Sequence, residues 1–149
     1  MEDKKIILSI VGEQVTPDGD TNRMEMVTEG RFYERDGLKY LEYEENETSG
    51  LGSTMTTITI GPDIVSLMRQ GRNTTHMVFK EGKKSYNIYN TPMGSMEMGV
   101  WPTSMVINMG EDKGDISLEY ELNIGGQYAG ENMISVTYRL KTNAQEAPS

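Results

Sequence analysis

The stretch DISLEYELNI, residues 115–124, alternates without a break: Ile116, Leu118, Tyr120, Leu122 and Ile124 fall on one side, and Ser117, Glu119, Glu121 and Asn123 on the other. A period of two is the signature of a strand with one buried face, and it conflicts with the 3.6-residue repeat of a helix. The same alternation runs through Ile6, Leu8 and Ile10, through Met105, Ile107 and Met109, and through Ile134, Val136, Tyr138 and Leu140. Shorter runs share it. Met24 and Met26 lead in phase toward Phe32, Leu41 goes with Tyr43, Ile58 with Ile60, Met77 with Phe79, and Tyr86 with Ile88. Asp63 to Gln70 fits a strand better than a short helix.

Turn chemistry separates these runs at Arg35-Asp36-Gly37, Gly61-Pro62-Asp63, Gln70-Gly71, Glu81-Gly82-Lys83, Pro92-Met93-Gly94, Asp112-Lys113-Gly114 and Gly125-Gly126. Glycine supplies positive φ and proline presets a reversal, so each site marks a hairpin, and the short spacing between them is that of an all-β sandwich or barrel. Strands joined in succession by tight turns leave two bare edges unless the sheet curls until the first strand meets the last. The expected architecture is therefore a single antiparallel up-and-down barrel of about 8–10 strands, whose interior is either filled by its own side chains or wide enough for one small ligand.

A chain of 149 residues is long enough to bury one core without staples. The barrel is expected to span residues 1–141, with 142–149 (TNAQEAPS) a fraying, flexible tail poor in apolar residues. Without cysteine there are no disulfides, thiolate nucleophiles or cysteine-based metal centres. The N-terminal stretch lacks the pattern of a signal peptide, and no run reaches transmembrane length, so a cytoplasmic location is expected. A formal charge of −9 repels phosphate backbones and anionic lipid, which argues against nucleic acid and membrane as partners.

Five segments in order, YLEYEEN (40–46), TTITI (56–60), MRQGRNTTHMVF (68–79), YNTPMGSMEMGV (89–100) and LEYELNIGGQYAGEN (118–132), resemble the YwiB-like family of small bacterial proteins. The resemblance extends from the first strand to about Leu140. Its most distinctive pieces are Arg69-Gln70-Gly71 before the Met77-Val78-Phe79 strand and Thr91-Pro92-Met93-Gly94 between two strands. It implies a calycin-type, lipocalin-like β-barrel of unknown function, and it transfers no catalytic or binding residue to this chain.

Candidate chemistry is sparse. The run NTPMGSMEMGVWPTSM (90–105) gathers four of the twelve methionines and the one tryptophan. Thioethers suit Cu(I), and the pairs Met24/Met26 and Met96/Met98 each share a strand face. Methionine is also a flexible core filler, and no cysteine or second histidine supports a metal. The run thus reads as a turn at Pro92–Gly94, a strand with Met96, Met98 and Val100 inward, and a corner at Trp101-Pro102 where proline stops the ladder. His76 alternates against Met77 and Phe79, which puts the sole histidine on the more polar face and leaves no catalytic constellation. Acids such as Glu42, Glu44, Glu119 and Glu121 read as a solvated face. Arg69, Arg72 and His76 surround the turn at Gly71 and are expected near one rim or along one wall, where a guanidinium can grip a carboxylate or phosphate or, alternatively, tie strand ends to a backbone carbonyl or a surface Glu.

The functional expectation is non-enzymatic binding of a small apolar or amphipathic ligand inside the barrel, with Arg69, Arg72, His76, Phe79, Tyr86, Met96, Met98 and Tyr120 as its binding residues. No cofactor or metal is required. The alternative is a packed barrel that acts as a protein–protein interaction module, with a homodimer or another protein as partner. A minor alternative is Cu(I) binding through the methionines.

Overall fold

In the computed structural model the described residues are 3–46, 53–71 and 74–141. They form ten strands: β1 (Lys4–Val15), β2 (Thr21–Arg35), β3 (Leu38–Asn46), β4 (Ser53–Ile60), β5 (Ile64–Gln70), β6 (Thr75–Lys80), β7 (Ser85–Thr91), β8 (Gly94–Met109), β9 (Lys113–Ile124) and β10 (Gln127–Leu140). No helix occurs among the described residues, and hence none long and apolar enough to cross a membrane. Arg72 and the tail 142–149 lie outside the described residues.

All neighbours pair antiparallel in one sheet of order β6-β5-β4-β3-β2-β1-β10-β9-β8-β7. The first strand meets the last over ten residue pairs, Ile6↔Leu140 to Val15↔Glu131, so the barrel is nearly closed. The seam falls between β6 and β7, consecutive strands joined by the turn at Glu81-Gly82. Their backbones meet at Thr74 and Asn90, which exchange two hydrogen bonds of 3.1 Å, and at a bridge between Lys80 and Lys83. The Ser85 hydroxyl adds a 2.7 Å hydrogen bond to the Val78 carbonyl.

Alternation sets the inside. Ile6, Leu8, Ile10, Leu41, Ile58, Val65, Leu67, Phe79, Val100, Ile116, Leu118, Val136 and Tyr138 are buried in one continuous core. Phe32 and Tyr138 pack with ring centroids 5.4 Å apart and fill one end. Where β2 leaves β1 to pair with β3, Gly30 lies so close to both that a Cβ there would sit 2.4 Å from the Glu42 carbonyl oxygen and 2.5 Å from Leu8. The corner can turn only around a residue without a side chain. The β2–β3 reversal places both Asp36 and Gly37 at positive φ, as a two-residue hairpin requires.

Two local expectations are corrected. Tyr86 and Ile88 do not join the core: β7 pairs so that Ser85 and Asn87 stand opposite Val100 and Met98, which turns Tyr86 and Ile88 outward, both more than half exposed. Pro102 does not stop β8, which runs on to Met109. The paired stretch of β7 ends at Ser85↔Val100, so Pro102 lies beyond it. A bulge between Pro102 and Ser104 absorbs the irregular register against β9, and the Thr103 hydroxyl donates to the Glu119 carbonyl at 3.2 Å.

Candidate functional site: the open end of the lumen

Following the inner face along β1, the apolar series Ile6, Leu8, Ile10 gives way to Gly12 and Gln14. On β2 the inner positions toward the same end are Met24 and Asn22, cross-strand from Gly12 and Gln14. On β10 the inner series ends at Asn132, opposite both Gln14 and Tyr120. Small and polar side chains thus replace large apolar ones, and a cavity of about 530 Å³ opens there. Met98, Leu122 and Ile124 of β8 and β9 line one wall, and Arg69, Thr75 and Met77 of β5 and β6 line another.

Arg69 reaches this position because β5 keeps its alternation. Val65 and Leu67 are buried and Arg69 follows in phase. A polar row leads to it across the inner face, Tyr43↔Thr56↔Arg69↔Thr75. One guanidinium nitrogen contacts Glu45 at 3.3 Å, and the side chain remains about half exposed at the mouth. Burial pushes the Tyr43 phenol up. The Thr56 hydroxyl and the Arg69 charge pull it back, while Glu45 adds to the rise. The inner face of β3–β5 therefore carries an ion pair, Arg69 with Glu45, at the mouth of the barrel.

Tyr120 lies in the cavity wall. Burial pushes its phenol up to about 12, against a partial offset from the Asn132 side chain, so it is a neutral hydrogen-bonding group at any physiological pH. Phe79 meets it edge-on, with centroids 4.9 Å apart, and supports it from the packed core. Among the described residues no group of three or more His, Asp or Glu side chains is arranged to hold a metal ion.

Of the residues singled out in the sequence, Arg69, Met98 and Tyr120 come together in this cavity. Phe79 is fully buried beneath it. Met96 is on the same strand face as Met98 but nearly half exposed, outside the cavity lining. His76 alternates with Thr75 and Met77 and takes the opposite side of β6. Tyr86 faces outward beside Gly99. Sequence reasoning missed Gly12, Gln14, Asn22 and Asn132, whose only signal is that they continue an apolar alternation with residues that are not apolar.

The family model described as "Domain of unknown function (DUF1934)" matches residues 8–136, most of the barrel. The chain belongs to this family. A relative from Bacillus subtilis (strain 168), "Uncharacterized beta-barrel protein YwiB", is 26% identical over 130 residues, which cover 87% of this chain and 90% of the relative. The crystal structure of the ywiB protein from Bacillus subtilis matches with a TM-score of 0.81 at 25% identity, covering 94% of each chain. The family and the barrel architecture agree with the strand pattern.

Proposed function

We propose that the open end of the lumen holds one small amphipathic ligand, its apolar body against Met24, Met77, Met98, Leu122 and Ile124 and an anionic end on Arg69. The observation that carries this reading is an arginine placed on the inner face of a barrel, at a cavity of about 530 Å³. Ligand sites have volumes of roughly 300–1,000 Å³, mostly apolar walls and a few placed polar groups. Arg69 has one nitrogen on Glu45, which leaves further donors of the guanidinium fork for a carboxylate. Methionine-rich walls adapt to ligands of varied shape. The lack of cysteine and the acidic surface support a cytoplasmic setting.

Native mass spectrometry of gently purified protein tests the reading. A bound adduct is expected, with weaker retention in Arg69→Ala. A clean mass, together with no enhancement of anilinonaphthalene sulfonate fluorescence, would leave the reading without support. Cu(I) is the rival occupant, because Met24, Met77, Met98 and Met133 line this one cavity. Competition with a Cu(I) chelator separates the two. The interaction-module reading has a different carrier, the exposed Tyr86, Ile88 and Trp101 on the outside of β7 and β8, and sedimentation across a concentration series tests it for self-association.

A further inference from the structure

At the other end of the barrel, on the outside of β1, β10, β9 and β8, a groove of about 720 Å³ is built from two cross-strand rows. The first row runs Ile7↔Arg139↔Lys113. The second runs Ser9↔Thr137↔Asp115↔Asn108. Arg139 and Lys113 stand directly opposite each other on the same face, an arrangement that destabilises an antiparallel pair unless a counter-charge sits between them. Among the described residues no ion pair engages either of them. On a protein of formal charge −9, this concavity gathers two adjacent cations against one carboxylate, Asp115.

The groove is also held in shape. Tyr138 donates a 2.6 Å hydrogen bond to the Gly110 carbonyl, the Gly110 amide donates to the Lys113 carbonyl at 3.1 Å, and the Leu140 amide donates to the Asp112 carbonyl at 2.8 Å. The β8–β9 turn is thereby tied to β10, which fixes the backbone of Lys113 relative to Arg139. A Cβ on Gly114 would lie 2.6 Å from the Tyr138 ring, so this tie depends on a bare backbone position.

We propose that this groove is a second binding site, distinct from the lumen, for a small amphipathic anion. A carboxylate or phosphate lies between Arg139 and Lys113, the apolar body rests on Ile7 and Met109, and Asp115 with Thr137 and Asn108 accepts or donates to a hydroxyl or ammonium on the same molecule. Asp115 also sets a limit: a second anionic group along the polar row is repelled, so the site favours one negative end.

The test is an amide-resolved NMR titration of the full chain with phenyl phosphate, with inorganic phosphate as the comparison. Saturable shifts are expected at Ile7, Ser9, Asn108, Lys113 and Thr137, weaker with inorganic phosphate and weakened by added salt, as exposed charges are screened. Two charge-assisted hydrogen bonds lost in the double variant Lys113→Ala/Arg139→Ala should weaken binding roughly tenfold or more, and Arg139→Gln alone gives an intermediate loss should the double variant fold poorly. Arg69→Ala should leave these shifts unchanged, which separates this site from the lumen. Shifts that do not saturate, that centre on Arg69 and Met98, or that survive the double variant would overturn the proposal.

Discussion

The two ends of the lumen are built from the same strands and the same alternation, yet one is packed and the other is open. At the packed end the inner positions hold Ile6, Leu8, Phe32, Ile116 and Tyr138, all buried, with Phe32 and Tyr138 in contact across it. At the open end the corresponding positions hold Gly12, Gln14, Asn22, Thr75 and Asn132 around a cavity. Strand period decides which side chains point inward. Their size and polarity decide whether the interior is a core or a container.

The largest effect is expected from the packed end. Leu8→Ala removes a fully buried side chain and should cost about 2–5 kcal/mol, whereas Met24→Ala, at a half-exposed position of the open end, should cost under about 1 kcal/mol. Urea unfolding of both variants checks this, and equal losses would erase the distinction between the ends. The next effect concerns Tyr120, whose phenol stands at about 12 in the fold against an ordinary value of about 10. The folded value is the higher one, so its contribution is intact below about pH 10 and drains as pH rises toward about 12, where the unfolded chain alone ionises readily; about 2–3 kcal/mol is at stake. Tyr120→Phe should accordingly lose less stability than the parent between pH 9 and 12, and parallel losses would mean that the phenol is not held neutral by burial.

Filling the container should leave stability nearly unchanged. A Cβ on Gly12 meets only the end of Met24, at 3.8 Å, so Gly12→Val should shift unfolding by under about 1 kcal/mol while weakening adduct retention in native mass spectrometry; retention at the parental level would move the ligand elsewhere. Smallest of all is Arg69→Ala. Its ion pair with Glu45 is partly exposed, so a change of a few tenths of a kcal/mol, up to about 1, is expected in thermal unfolding. A larger loss would recast Arg69 as a structural tie.

Much of this contrast was legible in the chain, and the rest was hidden for identifiable reasons. Strand phase read from Ile116 to Ile124 and from Ile134 to Leu140 places the core faces of β9 and β10, and Asp36-Gly37 and Gly125-Gly126 mark hairpins by their need for positive φ. The turn at Gly71 brings Arg69 to a rim in the sequence, and its inward direction follows from the buried Val65 and Leu67 that precede it in phase. Counting apolar residues fails where the interior stops being apolar. Asn22 and Asn132 look like outer-face residues until the neighbouring register brings them opposite Gln14. The same method misassigned β7, because Tyr86 and Ile88 are the more apolar pair yet register with β8 turns Ser85 and Asn87 inward. A seam strand with one sparse flank gains less from burial, so hydrophobicity is a poor guide to its orientation. The outer groove escapes any periodicity test, since Lys113 and Arg139 are 26 residues apart in number and become neighbours only through the pairing of β9 with β10.

The pairing of β1 with β10 has a consequence during synthesis. Until Leu140 has left the ribosome, β1 lacks one of its two partners, so a growing chain carries an unmatched hydrogen-bonding margin until β10 has been made. Closure joins residues as distant in the sequence as Ile6 and Leu140, a long-range step of the kind that slows folding, and the interval before it is when a nascent copy is most exposed to pairing with its neighbour.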